Sequence, residues 1–272
     1  MSPLTIIILF CVLIVAGSLL GGWLPSLMKL THRRMQIMVS FVGGLMLGVA
    51  LFHLLPHGAA AVGSLDKAMV AVVIGLLVMF FLIRAFHFHS HEVPGDEEHA
   101  HDHDHTHTGH RLGWVGVAIG LGLHTAIDGI ALGASVVAEH EGHGHGLLPG
   151  LGTFLAVLLH KPLDALAITS LMAAGGWAAH TRTLVNMGFA LMCPIGALLF
   201  YLGAGTGADA TVGYALCFSA GVFLCISLGD LLPEVQFHSH DRIKLSVALL
   251  LGIALAYAII YVEGAAHAGH AH

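Results

Sequence analysis

Two four-residue intervals in this 272-residue chain pair an imidazole with a carboxylate: His124 with Asp128, and His160 with Asp164. Both lie in runs made otherwise of Gly, Ala, Leu, Ile and Val. On a helix, positions i and i+4 share a face, so each run presents one nitrogen and one oxygen ligand in a common direction. Two such helices face to face enclose two imidazoles and two carboxylates. That donor set suits a borderline divalent cation such as Zn²⁺. A His–Asp pair can also be a structural polar pair. In lipid that alternative loses weight, because an acid at the centre of a bilayer costs about 2.5–3.5 kcal/mol on insertion scales and marks an ion or substrate path.

The elements that must hold these residues are membrane spans. The chain is 57% hydrophobic and only 10% charged, and its mean hydropathy is +0.87. A soluble domain carries about 25% charged residues. Apolar runs recur along the whole length without the alternation of a β-barrel strand. The expected fold class is therefore an all-α integral membrane protein, a single transport domain over residues 1–272. Its eight spans are predicted near 4–24, 36–60, 67–86, 113–138, 147–172, 183–204, 211–232 and 243–262.

Lys29, Arg33, Arg34, Arg84, Arg111, Arg182, Arg242 and Lys244 fall in connections on one side. Of the other two basic residues, Lys67 falls on the opposite side and Lys161 inside a span. The positive-inside rule makes the basic side cytoplasmic and puts both termini outside. The N-terminus reads as a retained span, since no basic n-region or small-residue cleavage site precedes a soluble chain. The expected location is the plasma membrane, for a bacterium its inner membrane. Lipid is the surrounding partner, and nothing points to nucleic acid. Cys11, Cys193, Cys217 and Cys225 all sit in apolar runs without a C-x-x-C and read as small buried residues.

Segment 87–110 holds nine histidines together with Asp96, Glu97, Glu98, Asp102 and Asp104. It is expected to be a disordered cytoplasmic loop that binds metal weakly, through residues such as His99, His101, His103, His105 and His107. A tolerated low-complexity linker is the equal alternative. Smaller clusters, His140/His143/His145 and His267/His270/His272, lie on the outer side and read as incidental.

The chain also contains an internal repeat. Residues 41–57, ending His53-Leu-Leu-Pro56-His57, align without gaps to 218–234, ending Asp230-Leu-Leu-Pro233-Glu234. The two copies fall in spans two and seven, which run in opposite directions. The arrangement is 3+2+3, with spans 1–3 inverted relative to 6–8, and such repeats are a transporter signature. His53 and His57 fall towards the outside and Asp230 and Glu234 towards the cytoplasm. The reading is an entrance pair, a central cage and an exit pair. Helix-end polar caps are the plainer alternative for the outer and inner pairs.

Pro162, inside the fifth span, frees the carbonyl of Leu158 one turn before the cage, so a kinked helix is expected there. With these motifs in place, the chain resembles the ZIP family (Zrt-, Irt-like proteins) of divalent metal transporters. The fourth-span His124-Thr-Ala-Ile-Asp128-Gly129 is similar to the family's His-Asn-x-x-Asp/Glu-Gly. The fifth-span His160-Lys161-Pro-Leu-Asp164 is similar to its His-Glu/Lys-x-Pro form. The resemblance implies metal moving into the cytoplasm between a mobile bundle and a scaffold, and a homodimer as in some members. It also implies a second metal beside the first, held by residues that here are Thr125 and Lys161. An ammonium has three donors and no acceptor, so Lys161 is expected to stand in for that ion and leave a single-metal site derived from a two-metal one. Zinc is then the substrate, or another divalent metal, and no catalytic cofactor is implied.

The mechanism these readings imply is alternating access. Three rivals stay open. An intramembrane zinc hydrolase needs an open metal position, and the chain has no H-E-x-x-H. An exporter of the same architecture differs only in direction. A metal-sensing receptor would need a signalling module that the sequence does not display.

Overall fold

The computed structural model describes residues 1–27, 32–87, 109–141, 148–204, 209–237 and 242–268. All the regular structure among them is helical. The reason is in the composition: in a bilayer no water serves an exposed N–H or C=O, so an apolar run satisfies its own backbone by coiling. The helices are α1 (Pro3–Leu27), α2 (His32–Val49), α3 (Leu55–Val62), α4 (Leu65–His87), α5 (Gly109–Glu141), α6 (Leu151–Ala174), α7 (Ala179–Ala204), α8 (Asp209–Phe237) and α9 (Arg242–Ala268). A π-helical turn, Ala50–Leu54, joins α2 to α3 as one span. Among the described residues eight spans are long and apolar enough to cross a membrane, at positions within a few residues of those predicted. The chain is a multi-span membrane protein.

Connections are tight where they are described. Gly63, Gly150 and Gly176 take φ of +69°, +79° and +75°, a region open to glycine without the penalty of a Cβ. Gly63 ends α3 by donating to Ala59 O. Gly150 opens α6, which then runs unbroken across Pro162.

The helices sort into two groups. α1, α5, α6 and α7 pack on one another, and α2, α3, α4, α8 and α9 form the second group. Glycine welds each group internally. A Cβ on Gly129 of α5 would meet Cys193 O of α7 at 2.1 Å, and one on Gly196 of α7 would meet Ala126 O of α5 at 2.0 Å. Small residues at such seams let helix backbones touch, which supplies the van der Waals contact that holds helices together in lipid.

The repeat is present in the packing itself. Phe41 and Phe218, Gly44 and Gly221, Val72 and Leu249, and Gly75 and Gly252 are each 177 positions apart. A Cβ on Gly44 would strike Leu249 O, and its counterpart Gly221 faces Val72 O. Gly75 faces Phe218 O, and its counterpart Gly252 faces Phe41 O. Both contacts between α2 and α9 thus recur, partner for partner, between α8 and α4.

The repeat breaks at one place. In the first copy the chain widens into the π turn, with Leu55 N–H bonding Ala50 O, just before Pro56. Proline would clash with the carbonyl four residues back and has no N–H to offer it, and a wider turn absorbs both defects. In the second copy α8 passes Pro233 as α-helix.

Candidate metal centre

The i, i+4 pairs of α5 and α6 face each other across the two helices' shared seam. His124 Nε2 lies 3.4 Å from Asp128 Oδ2 and 3.9 Å from Asp164 Oδ2. His160 Nε2 lies 3.2 Å from Asp128 Oδ2 and 3.8 Å from Asp164 Oδ2. The two imidazole rings stack with centroids 5.4 Å apart. Donor atoms of His124, Asp128 and His160 all fall within 4.8 Å of one another, and all three residues are buried.

The ring orientation of His160 follows from its own helix. Its Nδ1–H donates to Ala156 O at 2.8 Å, which leaves the Nε2 lone pair aimed at the two carboxylates. A hydrogen bond at one ring nitrogen fixes which nitrogen can ligate. His124 Nδ1 and Asp128 Oδ1 are buried and find no hydrogen-bond partner among the described residues. Buried polar atoms without partners are rare and call for a physical reason. Lone pairs from two imidazoles and Asp128 that converge on one point, with Asp164 beside them, make a donor set that a cation would join. The donor set therefore fits a divalent ion.

One cation of the protein's own is already there. Lys161, completely buried, donates through Nζ to Asp128 Oδ2 at 2.5 Å, to Thr125 Oγ1 at 3.0 Å and to Asp164 Oδ2 at 3.1 Å. Thr125 Oγ1 donates onward to Leu121 O at 2.7 Å. The ammonium thus has an acceptor for each of its three hydrogens. The Phe189 ring lies 5.6 Å away. Gly21 of α1 lets that helix touch the backbone of Pro162, next to the lysine, and so helices of the first group wall the lysine's side of the site.

A cavity of about 310 Å³ leads away from the cage between the groups. Met35, Val39, Val42 and Met46 of α2 line it opposite His160 and Asp164 of α6. It accounts for the 20% exposure of the Asp164 side chain, against none for Asp128. The repeat-related positions on α8 are Val212, Leu216, Ser219 and Phe223, and all four are buried. The α2 side is more open than its repeat-related counterpart at Met35, which is exposed, and Val39, which is half-buried, whereas Val42 and Met46 are buried like theirs.

Outside the cage the sequence reading is met unevenly. His53 lies in the π turn, 2% exposed, and its ring is 4.9 Å from that of the exposed His57. The side chains of Asp230 and Glu234 lie outside the described residues, as do His99, His101, His103, His105 and His107. A third carboxylate was not anticipated. Glu139 Oε1 accepts from His53 Nε2 at 2.7 Å and from Ser135 Oγ at 3.1 Å, and its Oε2 accepts from Gly150 N–H at 2.8 Å. Thr153 Oγ1 donates to Ser135 Oγ at 2.9 Å. The predicted fourth span stopped at 138 and left Glu139 in a loop, whereas α5 continues to Glu141. The available signal was the spacing: Ser135 and Glu139 follow Asp128 by seven and eleven residues on one helical face.

Among the described residues, eight spans apolar enough to cross a membrane and a buried cluster of metal-type donors define an integral membrane protein with a candidate cation site. Residues 4–260 match the family described as ZIP Zinc transporter, and the chain belongs to that family. It is 32% identical over 132 residues to zinc transporter ZIP9-B of Xenopus laevis, a match covering 46% of this chain and 42% of that protein. It is 31% identical over 130 residues to zinc transporter ZIP9 of Micropogonias undulatus, covering 46% and 40%. Against zinc transporter ZIP10 of Homo sapiens it is 28% identical over 163 residues, covering 56% of this chain and 18% of that protein. The matched region thus spans less than half the length of these curated relatives.

Proposed function

We propose that this protein carries a divalent metal ion, zinc first, across its membrane into the cytoplasm by alternating access. The observation that supports it most is the convergence of His124, Asp128 and His160 at one buried point, with Asp164 Oδ2 within 3.9 Å of both imidazole nitrogens and a cavity reaching Asp164 and His160 from beside α2. A site reached from one side at a time is what a carrier needs. The relatives' names, all zinc transporters, agree with this substrate.

In this reading the four side chains hold the metal, and two carboxylates balance its charge where the dielectric is low. Lys161 shares Asp128 Oδ2 and Asp164 Oδ2 with the two imidazoles, and in this reading its charge keeps a second ion out. The two groups of helices then move against each other, because glycine seams lock each group within itself. A cavity that opens to the cytoplasm agrees with the positive-inside rule, since Met35 follows Arg33 and Arg34 in the chain. Both termini are then outside. Asp230 and Glu234 receive the departing ion.

Metal uptake into proteoliposomes tests the reading. Wild type should load Zn²⁺, while His124→Ala and Asp164→Ala should fall to the rate of empty liposomes. Equal rates in all three would overturn it. Hydrolysis of lipid or peptide by wild type that moves no metal would favour an intramembrane hydrolase, and efflux from oriented vesicles would favour an exporter.

A further inference from the structure

The contacts between α5 and α6 form a ladder. Ser135 meets Thr153, Asp128 meets His160, and His124 stands nearest Asp164 across the seam. Each step along α5 is matched by an equal step back along α6, as antiparallel helices require. Between the first rung and the second lie Ala131 and Leu132 of α5 and Ala156 and Val157 of α6, all completely buried. Seven residues of helix separate those rungs by about 10.5 Å. The polar atoms beyond this apolar layer therefore form a cluster distinct from the cage.

That cluster draws on both groups of helices. His53 comes from the π turn of the second group. Glu139, Ser135 and Thr153 come from the first. A Cβ on Gly152 would still stand 3.6 Å from the His53 ring, so the imidazole rests on the first turn of α6. Glu139, 12% exposed, reaches the surface, whereas His53 and Ser135 do not. A histidine nitrogen, a carboxylate and a hydroxyl within 2.7–3.5 Å of one another are the donor types of a borderline divalent ion.

Resting on the transport reading above, we propose that His53, Glu139 and Ser135 form a second cation site on the outer side, which the metal occupies before it reaches the cage. When the site is empty, His53 Nε2–H donates to Glu139 and the two helix groups are tied together. When it is filled, the neutral imidazole changes tautomer, its proton moving by way of water from Nε2 to Nδ1, and the metal takes the vacated place between Nε2 and the carboxylate. Bonds of about 2.0–2.1 Å in a tetrahedral array set those two atoms about 3.3 Å apart. The present 2.7 Å separation has to open slightly, and the tie between the groups lengthens. Arrival of the ion thus loosens the outer closure that the empty site holds.

The experiment uses the full-length protein with Cd²⁺ in crystals and Zn²⁺ in proteoliposomes, wild type against Glu139→Gln. Glutamine keeps one oxygen as acceptor for Ser135 and His53 while losing the charge and the bond from Gly150 N–H, so the tie between His53 and residue 139 survives it. The expected result is an anomalous peak between His53 and Glu139 in wild type that is lost in the variant, with the cage peak kept in both. Uptake should show KM raised about tenfold with kcat within about twofold. A wild-type cage peak alone, with KM unchanged in the variant, would overturn the outer site while leaving the transport reading intact. Absence of both peaks and of uptake would remove the transport reading and this inference together.

Discussion

Lys161 Nζ and Asp128 Oδ2 stand 2.5 Å apart with neither side chain exposed, and both imidazoles of the cage reach the same oxygen. Asp128 Oδ2 is thus the one oxygen that the ammonium and both imidazoles approach most closely. Asp128→Asn should reduce zinc uptake by about two orders of magnitude or more. It should also lower stability by about 3–5 kcal/mol, because it removes half of a buried pair. Radiometal uptake and thermal unfolding of the purified variant check the two effects separately.

On the proposed reading, Lys161, bonded to Asp128, Asp164 and Thr125, stands in for a second ion. Lys161→Glu should convert a one-metal core into a two-metal core, since it exchanges a fixed cation for another oxygen ligand. Anomalous diffraction at the cadmium edge counts ions at the cage without interference from histidines elsewhere. Two peaks at the wild-type cage would contradict the assignment.

His160 is held with its proton on Nδ1 by the Ala156 carbonyl. Nitrogen-15 spectra of selectively labelled protein should show that tautomer before metal is added, and a shift confined to Nε2 afterwards. Binding through Nδ1 would be incompatible with the geometry described.

Metal binding needs neutral imidazoles and ionised carboxylates, so protons compete for the same lone pairs. Uptake at subsaturating zinc should fall as the outer medium is acidified, and saturating zinc should restore part of it. A rate that rises on acidification would point to proton-driven transport instead.

The glycine seams give a prediction about stability alone. Gly75→Ala and Gly252→Ala put a methyl group at 2.0 and 2.1 Å from backbone oxygens. The two should cost similar amounts, about 1–3 kcal/mol each, because they are equivalent in the repeat. Gly122→Ala, with nothing within 4 Å, should be neutral. Melting temperatures of the three variants in one detergent make the comparison.

The eight spans were legible because lipid leaves an apolar run one way to satisfy its backbone, and the His-x-x-x-Asp pairs because a helix puts four-residue neighbours on one face. The 177-residue offset was legible from residues 41–57 alone, and the packing of Gly75 against Phe218 extends it into the third and eighth spans. Three things were not legible. Lys161 was read as a charge near the cage, but its three hydrogen bonds depend on the register between α5 and α6. Glu139 was hidden by a boundary placed three residues early, since hydropathy falls off at His140 before the helix ends. The π turn that buries His53 is a local answer to Pro56, and Pro233 in an otherwise matching sequence has no such turn.

The repeat and the cavity together carry a consequence for energetics. Met35, Val39, Val42 and Met46 line open space, while their counterparts Val212, Leu216, Ser219 and Phe223 are sealed. Two halves built from matching contacts have traded roles here, one relaxed and one clenched. Exchanging those roles would produce a second arrangement made of the same kinds of contact, with the gap between α8 and α5. Where the two arrangements bury similar areas, as matching contacts imply, a chain working by the proposed alternating access rests in two wells of comparable depth. A small differential affinity of the cargo is then enough to tip it from one well to the other.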